Sequence, residues 1–124
     1  MAVDPTEGAL AALRDHAPGE PVVMLNLLRF APGGRASYDE YSRRAAPFLR
    51  EHGGEVVYAG DGRDPLVAED GQAWDAVLLV RYPSVDAFVR MVSDPGYQEI
   101  VTLRTAALTE AVLQPTVPWV GRRG

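Results

Sequence analysis

Cysteine and lysine are both missing from the chain, and histidine occurs only twice. Without cysteine there is no disulfide, thiolate nucleophile, cysteine-ligated zinc or iron-sulfur centre, so stability has to come from packing. Without lysine all 12 basic residues are arginines, which removes Schiff-base chemistry, the phosphate-loop lysine and any amine base of lowered pKa. Positive charge is also in deficit. The 12 basic and 17 acidic side chains leave a formal net charge of -5, which opposes the attraction that a nucleic acid or an anionic membrane requires. No apolar run comes near the roughly 18 residues that span a bilayer, and the opening MAVDPTEGALAALRDHA carries no basic leader segment. The expectation is a cytoplasmic protein with neither a nucleic-acid nor a membrane partner.

What is present has the make-up of one ordinary globular domain: 124 residues, 47% hydrophobic and 23% charged, with no repeat or linker dividing them. Caps and periodicity divide it into a helical extension (residues 1–19), a core (20–119) and a short tail (120–124). Asp4-Pro5-Thr6-Glu7 reads as an N-cap with a first-turn proline, opening a helix to about Asp15. Residues 22–30 (VVMLNLLRF) form a short branched run, a buried strand ended by Pro32-Gly33-Gly34. Ser37-Tyr38-Asp39-Glu40 fits a capping box, and the helix after it carries Tyr38, Tyr41, Ala45, Phe48 and Leu49 on one stripe before Gly53-Gly54 closes it. A second strand is expected at 55–59, continuing at 66–68 after an interruption, then a turn at Asp70-Gly71 and a third strand at 74–82. Ser84 caps a short helix, Asp94-Pro95 starts another reaching about Leu108, and residues 110–119 return as a last strand.

The order β-α-β-β-α-β predicts an α+β, ferredoxin-like fold: a four-stranded antiparallel sheet with helices on one face. Right-handed crossovers place the strands at 22–30 and 74–82 in the centre. Both are apolar on both faces, with Val22, Met24, Leu28 and Phe30 on one side of the first and Val23, Leu25 and Leu27 on the other. One helical layer covers one face only, so the other is expected against a second copy of the chain, as a homodimer.

Four segments, Met24-Leu25-Asn26-Leu27-Leu28-Arg29-Phe30, Gly53-Gly54, Tyr82-Pro83-Ser84 and Asp94-Pro95-Gly96-Tyr97 with Arg104 beyond, resemble the family known as domain of unknown function 1330. The likeness runs over roughly residues 20–119. It implies the dimeric α/β-barrel superfamily, in which two ferredoxin-like sheets face each other and the helices lie outside. Relatives there include cofactor-free monooxygenases, isomerases, haem-handling enzymes and ligand-binding proteins with a pocket between sheet and helices.

His16 and His52 stand apart from each other and from any metal-ligand motif, each near a predicted helix C-terminus where capping accounts for it; His52 keeps a minor claim to catalysis, four residues beyond Phe48. No metal or other cofactor is expected. Nucleotide-binding glycine motifs are absent, and Asp61, Asp64, Glu69 and Asp70 do not follow calcium-loop spacing. Arg104 shares an inward stripe with Tyr97 and Ile100, so its charge needs an anion: a carboxylate such as Asp75 or Asp94, or a ligand. Asn26 is a lone amide in an apolar strand and either bonds the backbone or faces a pocket. Tyr38, Tyr58, Trp74 and Tyr82 are candidates to line an aromatic ligand site, or are packing residues.

Two functions remain open. One is a cofactor-free enzyme (monooxygenase, isomerase or cyclase) acting on an aromatic or enolisable carbonyl compound, with Asn26, Tyr41, Tyr97 and Arg104 donating to an oxyanion. The other is a non-catalytic ligand-binding or structural dimer with a filled interior.

Overall fold

A computed structural model describes residues 4–16 and 18–119; the expected tail at 120–124 and the first three residues of the extension lie outside them. The elements are α1 (Glu7–His16), β1 (Val22–Phe30), α2 (Gly34–Glu51), β2 (Glu55–Asp61), β3 (Ala76–Tyr82), α3 (Val85–Ser93), α4 (Pro95–Ala107) and β4 (Leu108–Thr116). They form one sheet of order β2-β3-β1-β4, antiparallel throughout, which is the ferredoxin-like arrangement with the second crossover split into two helices. Among the described residues no helix is long and apolar enough to cross a membrane.

The apolar strands β1 and β3 occupy the centre because their side chains need cover from neighbouring strands as well as from helices. Pairing sets Asn26 opposite Leu78 and Leu28 opposite Ala76, and Asn26 opposite Leu113 on β4. Alternation then points Val22, Met24, Asn26 and Leu28 toward the helices, and Val23, Leu25 and Leu27 to the opposite side. Met24 and Leu28 are fully buried within two clusters that join the covered sheet face to α2, α3 and α4. Leu25, Leu27, Val77 and Leu79 on the other face are half-buried, and no helix belonging to either cluster covers them.

Helices α2 and α4 approach closely because Gly34 lacks a Cβ, which would lie 2.2 Å from the Ala107 carbonyl oxygen. Any side chain there would force the two helices apart.

Several boundaries differ from the sequence expectation. Helix α2 starts at Gly34, behind Gly33 at φ 72, with no side-chain cap. The capping box does not form, since Ser37 Oγ donates to the Leu103 carbonyl of α4 at 2.9 Å, and Glu40 pairs instead with Arg43 and Arg44. The extended strand at 66–68 is absent: β2 runs on through Gly60 to Asp61, and Leu66 and Val67 are 101% and 95% exposed in the following loop. Among the described residues no strand pairs with that segment. Strand β3 begins at Ala76 rather than 74, and β4 spans Leu108–Thr116 rather than 110–119, its start set by a register shift at Arg29/Phe30. In α1 the cap is Thr6, whose hydroxyl accepts from Ala9 N–H at 3.0 Å, and this frees Asp4 for another partner.

Candidate functional site

Between the covered sheet face and the helices lies a cavity of about 610 Å³. Asn26, Tyr38, Tyr41, Tyr82, Tyr97 and Arg104 all line it, so six of the residues singled out from four separate segments of the chain meet in one place. The periodicity of α2 brings Tyr38 and Tyr41 to its inward side, a capping Asp94 (Gly96 N–H to Oδ1, 2.8 Å) starts α4 so that Tyr97 and Arg104 point the same way, and the alternation of β1 and β3 contributes Asn26 and, at the strand end, Tyr82.

The close approach of α2 and α4 places the hydroxyls of Tyr41 and Tyr97 2.5 Å apart, hydrogen-bonded to each other. Tyr41 also packs its ring against Tyr38 at 5.5 Å between centroids. Asn26 Nδ2 donates to its own strand at the Met24 carbonyl, 3.3 Å away, a long bond for a side chain that also lines the cavity.

Arg104 is only 5% exposed. Its carboxylate partner is neither Asp75 nor Asp94, both of which are otherwise engaged: Asp75 accepts from Phe30 N–H and Asp94 caps α4. The partner is Asp4, with Oδ1 3.4 Å from the guanidinium and Oδ2 accepting from the Thr105 hydroxyl at 2.9 Å. Asp4 and Glu7 also line the cavity, at its mouth. A hundred residues separate Asp4 from Arg104, and within its own segment Asp4 reads as a helix cap. The competing signal was Thr6, an equally good cap two positions on.

Burial governs the protonation of the tyrosines. Desolvation pushes the Tyr38 hydroxyl up to about 12 and raises those of Tyr41, Tyr82 and Tyr97, although Arg104 pulls each of them in the opposite direction. The four stay neutral at physiological pH, and in the hydrogen-bonded Tyr41–Tyr97 pair one hydroxyl donates to the other, which leaves the accepting hydroxyl's proton for a ligand. The cavity is therefore apolar in its walls and rich in donors, with the negative charge of Asp4 at its edge.

Two residues expected to bind substrate lie elsewhere. Tyr58 is 54% exposed on the edge strand β2, paired with Leu79 on the uncovered sheet face. The bulge between Val56 and Tyr58 shifts it off the alternation that would have turned it inward. Trp74 lies under the Arg29 guanidinium, 4.5 Å from its ring centre, and that guanidinium is also held by Glu110 at 3.0 Å. Both are surface packing features outside the cavity. His52 is the C-cap residue of α2 and does not line the cavity. With Glu51 and Asp94 it forms a group whose possible ligand atoms lie within 4.8 Å of one another, and its Nε2 is buried without a hydrogen-bond partner among the described residues. One oxygen of Asp94 in that group is already committed to capping α4.

A family model described as Domain of unknown function (DUF1330) matches residues 29–114. Among solved structures, a Rhodopseudomonas palustris protein of unknown function is 35% identical, with TM-score 0.85 over 94% of this chain and 95% of that one. At the level of fold alone, the hydroxynitrile lyase of Passiflora edulis aligns with TM-score 0.63 at 15% identity over 86% of this chain and all 100% of its own. A candidate antibiotic biosynthesis monooxygenase of Bacteroides thetaiotaomicron aligns with TM-score 0.59 at 17% identity, over 85% and 96% of the two chains. No curated protein matches the chain significantly.

Proposed function

We propose, from the premise that the chain belongs to the DUF1330 family, that it is a cofactor-free enzyme acting on an aromatic or enolisable carbonyl compound held in the cavity between sheet and helices. The observation that carries this reading is the convergence of the Tyr41–Tyr97 hydroxyl pair and the Arg104 guanidinium on an open space of about 610 Å³. A merely structural interior would be filled. The fold itself is shared with small-molecule enzymes, which supports the reading without naming a reaction.

The chemistry follows from the donors. Removing the proton next to a carbonyl leaves an enolate whose negative oxygen is stabilised by neutral tyrosine hydroxyls and by Arg104, while the proton passes to water at the mouth. Proton shift, cyclisation and oxygenation all run through such an enolate or the related phenolate. Donors held in place by packing pay no reorganisation when charge develops, which is why buried tyrosines serve better here than solvated ones. The test is exchange of the α-protons of phenylpyruvate in heavy water, followed by NMR. Exchange accelerated by the protein and lost in Tyr97→Phe and Arg104→Met is expected; exchange at the rate of buffer alone refutes enolate stabilisation.

We infer further that the chain is a homodimer, joined through the sheet face that carries Leu25, Leu27, Val77 and Leu79. Two such faces packed together would bury the aliphatic surface that no helix reaches. Native mass spectrometry, followed by denaturing extraction, reads the mass and any retained ligand together.

A further inference from the structure

We propose that the cavity takes a small organic carboxylate, and that Asp4 holds the carboxylate's place beside Arg104 and Thr105 until the ligand displaces it. The inference rests on the cavity's being a small-molecule site and specifies which class of molecule enters it.

The Asp4 side chain makes the contacts a ligand carboxylate would make. One oxygen faces the Arg104 guanidinium and the other accepts from the Thr105 hydroxyl, so both oxygens are used, as in recognition of a free carboxylate. The fit is loose. At 3.4 Å the charged contact is longer than the roughly 2.7 to 2.9 Å of a well-formed ion pair, so a better-placed anion would compete with it. The partners are also unequal in burial: the Arg104 side chain is 7% exposed and that of Asp4 42%. A carboxylate leaving this position returns to water at little cost, whereas the guanidinium stays inside, where a ligand carboxylate can take the vacated place.

The segment that carries Asp4 is built to move. Asp4 and Pro5 precede α1, and α1 contains no buried residue. It is held to the body by Leu10 and Leu13, which are partly buried against the core, and by the half-exposed pair Arg14–Asp86 at 2.7 Å. An element with so little buried surface opens at a small fraction of the cost of global unfolding. Beyond the carboxylate position the walls are those of an aromatic or unsaturated body: Tyr38, Tyr41, Tyr82, Phe88 and Leu78. Tyr41 and Tyr97, whose hydroxyls are hydrogen-bonded to each other, line the same cavity and supply a polar contact for a second oxygen on that body. A 2-oxo acid with an aromatic substituent combines all three features.

Phenylpyruvate and its neutral methyl ester are the probes, titrated calorimetrically into the wild-type chain and into Asp4→Asn and Arg104→Met. Removing the competing charge should tighten phenylpyruvate binding by about tenfold in Asp4→Asn and leave the ester unchanged, while Arg104→Met should lose the acid and keep the ester. Hydrogen exchange on the wild-type protein gives a second readout that needs no variant: phenylpyruvate should speed exchange of the α1 amides as the segment is released. Equal gains for acid and ester in Asp4→Asn, or slower α1 exchange with the acid bound, would overturn the displacement. Binding of the ester but not the acid leaves the cavity reading standing and removes the carboxylate. Failure of both probes with every variant removes the two together.

Discussion

The two faces of the sheet are made from the same strands and solve opposite problems. The covered face holds two hydrophobic clusters beside a largely apolar cavity, where Met24 and Leu28 are sealed in while Asn26, between them on the same strand, opens onto the tyrosines and Arg104. The uncovered face carries the aliphatic side chains Leu25, Leu27, Val77 and Leu79 at its centre, with Gln114 and Tyr58 beside them on the edge strands and Arg29 beyond, tied down by Glu110 and Trp74. Charge is buried beside a cavity, and an apolar surface stays half-exposed where none of the described helices covers it. The lesson is that neither face is a plain core: one is kept open, the other unfinished.

This contrast breaks most visibly with Leu28→Ala. It removes a fully buried side chain from the covered face and should cost about 2 to 5 kcal/mol in denaturant unfolding without altering the mass of the assembly. An alkaline titration tests the same face through its tyrosines. Each has a folded-state pKa raised above the unfolded value near 10, so its contribution is fully present below pH 10 and is lost as the pH climbs toward the folded value. For Tyr38, whose hydroxyl is pushed up to about 12, the loss between the two is about 3 kcal/mol. Phenolate absorbance from the cavity tyrosines should therefore appear together with loss of circular dichroism; its appearance in a fully folded protein would mean that the cavity hydroxyls are solvated.

On the bare face the expected signal is in mass. Leu79→Asp puts a charge where two sheets would meet and should bring the sedimentation mass down to that of one chain, whereas a wild-type chain already monomeric at micromolar concentration would leave this face with no partner. The smallest effect belongs to Arg104→Met. Its carboxylate Asp4 is 42% exposed and can turn to water when the guanidinium is removed, so the stability loss should stay near 1 kcal/mol. A loss of several kcal/mol would show that the pair is structural.

Periodicity made much of this architecture legible. Strand β1 occupies residues 22–30 as read, the inward stripe of α2 carries Tyr38 and Tyr41, and the Ser84 and Asp94 caps both form. All of these depend on neighbours within a few residues. The capping box failed because the Ser37 hydroxyl found a carbonyl on α4, 66 residues away. Tyr58 and Trp74 lie outside the cavity for a related reason: a bulge and a loop decided where they stand, and neither leaves a strong mark on composition.

The sequence by itself determined the order of helices and strands, which strands lie at the centre, and which chemistries are impossible, because these follow from side-chain alternation, helical spacing and the absence of cysteine and lysine. Only the tertiary structure decided that six of the candidate residues surround an open cavity, and that the anion facing Arg104 is Asp4. Cavity volume depends on how closely α2 and α4 can approach, which Gly34 permits only through its contact with Ala107. Charge pairing depends on distance in space, and the hundred residues between Asp4 and Arg104 carry no local pattern that links them.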